Sequence, residues 1–134
     1  MKIKIQNLLK YNILIVEDEE VLRKILVDTL KSLGINVFEA SNGLEALLLL
    51  KYNSDINIIC TDINMPEMNG IELIKILKKG FPNIPYIVMS TENRKDKYEK
   101  QKIELDIKYE VPKPINVINL INTIYYLLYQ SEEK

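Results

Sequence analysis

The sequence predicts an α/β fold, a doubly wound five-stranded parallel sheet with five helices, and three observations predict it. Short apolar runs alternate along the chain with segments whose apolar residues recur at helical spacing. The runs are apolar at consecutive positions, as in strands buried on both faces. No linker, repeat or low-complexity tract breaks the rhythm, and 134 residues suit one compact domain. Parallel strands need crossover connections, and right-handed crossovers place helices on both faces of the sheet.

Ile13 to Val16 forms the first strand. Val21, Leu22, Ile25, Leu26, Leu30 and Leu33 follow at the spacing of one helical face, and Gly34 terminates that helix. Ile35 to Phe38 reads as the second strand, Leu44 to Leu50 as the second helix and Ile56 to Cys60 as the third strand. After Gly70, the residues Ile71, Ile74, Ile76 and Leu77 mark a third helix, and Phe81-Pro82-Asn83 with Pro85 brackets the turn into a fourth strand, Tyr86 to Met89. Asn93 to Leu105 is charge-rich, with Tyr98, Ile103 and Leu105 as apolar anchors, and predicts a weakly amphipathic, mobile fourth helix. Ile107 to Val111 gives the fifth strand and Ile115 to Tyr129 the last helix.

Composition narrows the chemistry. A net charge of −1 supplies no drive toward nucleic acid or membrane surfaces, so protein or a small ion is the expected partner. No stretch approaches the length of a membrane span, and Met1 to Tyr11 lacks the pattern of a signal peptide. The lone Cys60 lies inside an apolar run, where a small buried hydrophobe is the ordinary reading, and a reducing cytoplasm is the expected compartment. With no histidine, the chain holds neither a Ser/His/Asp set, nor a histidine metal ligand, nor a phosphohistidine. Carboxylates, hydroxyls and lysine remain.

In doubly wound sheets, functional residues gather at the carboxyl ends of the strands. The first strand runs out into Glu17, Asp18, Glu19 and Glu20. Acidic residues favour the first turn of a helix, which accounts for Glu19 and Glu20. The third strand ends in Asp62, on the same rim as Glu17 and Asp18, and carboxylates gathered there repel unless a cation sits among them. A hard divalent ion suits such a cluster, Mg²⁺ foremost and Mn²⁺ as an alternative. The fourth strand ends in Ser90 and Thr91, and the fifth in Lys113. Alone, a strand-end hydroxyl is usually a helix cap and a lysine usually solvated surface. Together with the carboxylates they describe a nucleophilic aspartate, a metal, a hydroxyl donor and a cation, a sufficient set for phosphoryl transfer.

The run Ile13-Leu-Ile-Val-Glu-Asp-Glu-Glu20, the run Thr61-Asp-Ile-Asn-Met-Pro-Glu-Met-Asn-Gly70, Met89-Ser90 and Pro112-Lys113-Pro114 resemble, in order, the motifs of response-regulator receiver domains. The resemblance implies a flavodoxin-like (βα)5 fold over residues 12–130, with an N-terminal extension at 1–11 and a C-terminal tail at 131–134. It implies that Asp62 accepts a phosphoryl group from a histidine kinase or histidine phosphotransfer protein. Asp18 and Asp62 would bind Mg²⁺ directly, Glu17 through a water and Asn64 through its backbone carbonyl, with Met65-Pro66 and Gly70 shaping the loop. Ser90 and Lys113 would contact the phosphoryl oxygens, and the Lys113-Pro114 bond is one the family often holds in cis. Such a domain is a signalling switch rather than an enzyme, limited to self-phosphorylation and slow autodephosphorylation.

The family's switch pairs the hydroxyl residue with an aromatic residue three positions before the lysine, and here that position is Glu110. Tyr109 precedes it and falls on the opposite side of the strand by alternation. Three expectations follow: a bulge lets Tyr109 substitute, Glu110 acts by charge, or output is read elsewhere, and the last two are favoured. Thr91 is larger than the family's usual residue, and with Asn64 and Glu92 it is expected to tune the lifetime of the phosphorylated state. The last helix carries more apolar surface than one docking face needs: either its tyrosines lie flat with their hydroxyls in water, or the surface meets a downstream protein target or a second copy, and Ile3, Ile5, Leu8 and Leu9 could cover part of it.

No DNA-binding segment follows residue 130, so a whole chain acts by protein contact as chemotaxis regulators do; an excised one fits a DNA-binding response regulator equally well. A rival class is a Mg²⁺-dependent aspartyl phosphohydrolase, but Asn64 stands where such enzymes have a proton-donating acid. A receiver-like module that no longer accepts phosphate is the remaining alternative.

Overall fold

Residues 5–53, 55–91 and 98–133 are described by the computed structural model, with side chains from 6 to 129 within those spans. Five strands alternate with five helices: β1 (Asn12–Val16), α1 (Glu20–Ser32), β2 (Asn36–Ala40), α2 (Gly43–Tyr52), β3 (Ile56–Asp62), α3 (Gly70–Gly80), β4 (Tyr86–Thr91), α4 (Glu99–Glu104), β5 (Glu110–Lys113) and α5 (Val117–Glu133). All pairings are parallel, in the order β2-β1-β3-β4-β5. The chain winds from β1 outward to β2 and then returns to the far side for β3, so strand order reverses between β1 and β3. This is the doubly wound, flavodoxin-like fold, and its crevice opens beyond Val16 and Asp62.

Alternation along the strands sorts the core into two layers. Ile13, Ile15, Ile58, Cys60, Ile87, Met89 and Val111 face α1 and α5, meeting Leu26, Leu30, Leu120 and Ile124. Leu14, Val16 and Ile59 face the other way, onto Ala46 and Leu50 of α2 and Leu73 and Leu77 of α3. Val88 packs with Ile63, Ile71 and Ile74, and Tyr98, Leu105 and Ile107 close that layer near α4. Both faces of the central strands are dry, as their uninterrupted apolar runs require.

Several elements depart from the sequence reading. The inward stripe of α1 is Leu26, Val27 and Leu30, while Val21 and Ile25 point to solvent. Of the apolar residues expected to anchor the fourth helix, Ile103 is 72% exposed and Lys102 is turned inward instead. Asn93 and the rest of residues 92–97 lie outside the described residues. The fifth strand starts at Glu110 rather than Ile107, because α4 ends through Asp106 in a left-handed conformation (φ 55°). Ile107 then donates its N–H to the Lys102 carbonyl, closing the helix instead of extending a strand.

Leu8, in a 3-10 turn over Ile5–Leu8, is buried in the layer with α1 and α5. Leu9 stays largely exposed, and Ile3 and the Ile5 side chain lie outside the described residues. β5 is an edge strand and contains Pro112, which edge positions tolerate. Tyr109 offers its carbonyl to the Val88 N–H, so Tyr109 and Val111 turn their backbone toward β4 while Glu110 and Pro112 turn theirs to the open edge.

Candidate functional site

Register brings the strand-end residues together. Val16 lies opposite Thr61, Asp62 opposite Met89, and Thr91 opposite Lys113, so four neighbouring strands end on one rim. Asp62 is the last residue of β3 and only 6% exposed. Its Oδ1 accepts the N–H of Ile63 at 2.8 Å, and its Oδ2 lies 3.1 Å from the Lys113 Nζ. Lys113 reaches across from β5 to donate to Glu17 Oε1 as well, at 2.8 Å. The other Glu17 oxygen accepts the Glu19 N–H at 3.1 Å, at the start of α1. Asp18 sits on the exposed side, and oxygens of Glu17, Asp18 and Asp62 all lie within 4.8 Å of one another.

Three carboxylates around one ammonium leave an excess of negative charge in a half-dry crevice. Burial, then repulsion from Glu17, pushes the Asp62 carboxyl up to about 7, against the pull of Lys113. Burial would raise Glu17 too, but the Lys113 and Glu19 hydrogen bonds hold it below its ordinary value. Asp18 is raised by burial and by Glu17. Lys113 is raised: burial opposes its charge, and the bond to Glu17 and the charge of Asp62 outweigh that.

The loop after β3 is shaped by close approaches. Gly70 donates to the Ile63 carbonyl at 2.8 Å, and a Cβ at Gly70 would collide with the Asp62 carbonyl oxygen. Glu67 takes a positive φ of 66° in the bend after Met65-Pro66. Asn64 is exposed in that loop. Asn69 then caps α3, accepting from the Glu72 N–H at 2.9 Å while Glu72 reaches back to the Asn69 N–H, a reciprocal capping box. The Lys113-Pro114 bond is cis.

Ser90 and Thr91 end β4, Ser90 nearly buried and Thr91 exposed at the mouth. The Ser90 Oγ donates to Glu110 Oε2 at 3.0 Å. The same Glu110 oxygen lies 3.0 Å from Lys102 Nζ. Tyr109 packs on the opposite side of β5, its ring 6.2 Å from that of Tyr126 on α5. The β4–β5 register runs without a shift, from Val88 opposite Glu110 to Thr91 opposite Lys113. Glu92 lies outside the described residues. Lys102 went unseen in the sequence, because one lysine in a charge-rich segment carries no signal of burial. Cys60 is fully buried and its thiol pushed up to about 12 by desolvation, so it stands apart from the chemistry.

Comparison with known proteins agrees with this geometry. The response regulator receiver domain matches residues 13–125. A chemotaxis protein CheY homolog of Campylobacter jejuni is 43% identical over 86 residues, covering 62% of this chain and 66% of that protein. The chain thus spans slightly under two thirds of that relative's length. The sensor kinase CckA of Brucella abortus is 33% identical over 122 residues, which cover 90% of this chain and 13% of the kinase. Among solved structures, the Francisella response regulator 1452 receiver domain superposes with a TM-score of 0.78 at 26% identity, covering 90% of this chain and 98% of that one. The motif order, the parallel order of strands and the acidic rim converge, and the chain belongs to the response regulator receiver domains of two-component signalling.

Proposed function

We propose that the chain is a phosphorylation-dependent signalling switch in which Asp62 accepts a phosphoryl group from a histidine kinase or histidine phosphotransfer protein and the result is read by protein contact. The observation that carries this reading is the setting of Asp62: a buried strand-end carboxylate with Lys113 Nζ 3.1 Å from its outer oxygen and two further carboxylates alongside. An Asp62 oxygen attacks phosphorus, the bond from phosphorus to the donor's imidazole nitrogen breaks, and that nitrogen keeps the electron pair. Lys113, held between Glu17 and Asp62, would donate to the transferred oxygens, and Ser90 on the neighbouring strand would supply a hydroxyl.

The donor set fits a divalent cation. Glu17, Asp18 and Asp62 offer hard oxygens converging within 4.8 Å, and a single ammonium does not balance them. Asp18 and Asp62 would hold Mg²⁺ or Mn²⁺, with the Asn64 carbonyl and Glu17 in support; when bound, the ion offsets the charge that builds up on the transferring group. Ile118, Tyr126 and Tyr129 on α5 and Ile103 on α4 remain exposed, and a target protein or a second copy would meet the domain there. No helix among the described residues is long and apolar enough to cross a membrane.

Mass spectrometry after incubation with acetyl phosphate and Mg²⁺ tests the reading. One stable phosphoryl mass on Asp62, lost in Asp62→Asn, is the expected result. Continuous turnover of the donor would instead indicate a hydrolase, and no labelling a module without acceptor chemistry.

A further inference from the structure

Lys102 is the one buried lysine among the described residues, and it carries its charge into a site the motifs do not include. Burying an ammonium is costly unless it is paired, and its partner is Glu110 Oε2 at 3.0 Å, with Glu99 Oε2 farther off at 3.7 Å. That same Glu110 oxygen accepts the Ser90 hydroxyl at 3.0 Å. A serine hydroxyl has one proton to donate. While Ser90 donates to Glu110, it cannot donate to a phosphoryl oxygen on Asp62 of the adjacent strand.

We infer that Glu110 and Lys102 are positioning residues for the phosphorylation reaction: Glu110 withholds the Ser90 proton from the Asp62 site, and Lys102, sharing the same carboxylate oxygen, sets how strongly it is withheld. The inference rests on Asp62 being the phosphoacceptor. A carboxylate is a stronger acceptor than an amide, so neutralising Glu110 releases Ser90. Removing Lys102 has the opposite effect, because a carboxylate that loses its nearest cation holds its remaining donor more tightly. Two residues in direct contact are therefore assigned effects of opposite sign, which damage to packing would not produce.

The test is the rate of labelling by acetyl phosphate with Mg²⁺, followed by mass spectrometry on the full chain. Glu110→Gln is expected to label roughly three- to tenfold faster than wild type, the usual gap between charged and neutral acceptors. Lys102→Met is expected to label several-fold more slowly, and Lys102→Arg to return toward the wild-type rate. In a Ser90→Ala background both effects should collapse to within about twofold, since the proton they compete for is gone. Rates that move in the same direction in Glu110→Gln and Lys102→Met, or differences that persist without Ser90, overturn the inference. Unlabelled wild type would overturn the phosphoacceptor reading itself, and this inference with it, and is recognised by its independence of either substitution.

Discussion

At the scale of single residues, Asp62 is a carboxyl whose surroundings disfavour its charge. Its carboxyl is raised from 3.8 to about 7 by burial and by Glu17, so its protonated form fits the folded protein better than its charged form does. A carboxyl raised on folding contributes stability that is complete below its unfolded value and is lost as pH rises through the folded one. In metal-free protein, Asp62→Asn should therefore melt close to wild type near pH 4 and several degrees above it near pH 8. Added Mg²⁺ should narrow the gap at pH 8 by stabilising wild type. Thermal melts across that range check both, and a gap independent of pH would contradict them. Thr91 poses a separate question. It ends β4, exposed, opposite Lys113, and we propose that its bulk limits the water that can reach a phosphoryl group on Asp62. Thr91→Ala should lose phosphate roughly two- to tenfold faster, equivalent to about 1 kcal/mol of barrier, in a time course of the labelled protein. Equal rates would remove Thr91 from the account of lifetime.

Among the elements, the sequence was most legible where geometry leaves few choices. Apolar runs buried on both faces located β1, β3 and β4, and the polar residues that end them had nowhere to go but the rim, so Glu17, Asp18, Asp62 and Ser90 were placed there by pattern. Legibility failed between α4 and β5. Ile107 and Tyr109 alternate with polar residues as a strand does, yet Asp106 in the left-handed region turns the chain and delays pairing until Glu110. Lys102 and Ile103 exchanged their expected roles because an ion pair to Glu110, three-dimensional and eight residues away, outweighs the apolar preference of one isoleucine. Local spacing cannot register such a pairing. The capping box on α3 gives this scale its prediction: Asn69→Ala leaves the Glu72 N–H without its acceptor and should cost about 1 kcal/mol in chemical denaturation. The loop it closes also carries Gly70 against Asp62, so slower labelling should accompany the loss.

For the whole molecule, the receiver match begins at residue 13, but the packed core does not. Leu8 is 1% exposed between α1 and α5, with Tyr11 half-buried beside it, so the extension is part of the folded unit. Leu8→Ala should lower stability by about 2–4 kcal/mol, the usual range for a buried leucine, as a shift of the denaturant midpoint. A change under about 0.5 kcal/mol would mean that the extension merely rests on the surface.

The short β5 edge bears on how partners can meet this protein. A chain that docks by adding a strand needs a ladder of backbone donors and acceptors to copy. Along the open side of β5 the outward-facing backbone comes from Glu110 and Pro112, and the imino nitrogen of Pro112 has nothing to donate. Strand addition on this margin would go without one of its donors. Side-chain recognition is thereby favoured, and the side chains flanking that margin belong to the same helices, α4 and α5, that hold Lys102 and Tyr126 on either side of the strand.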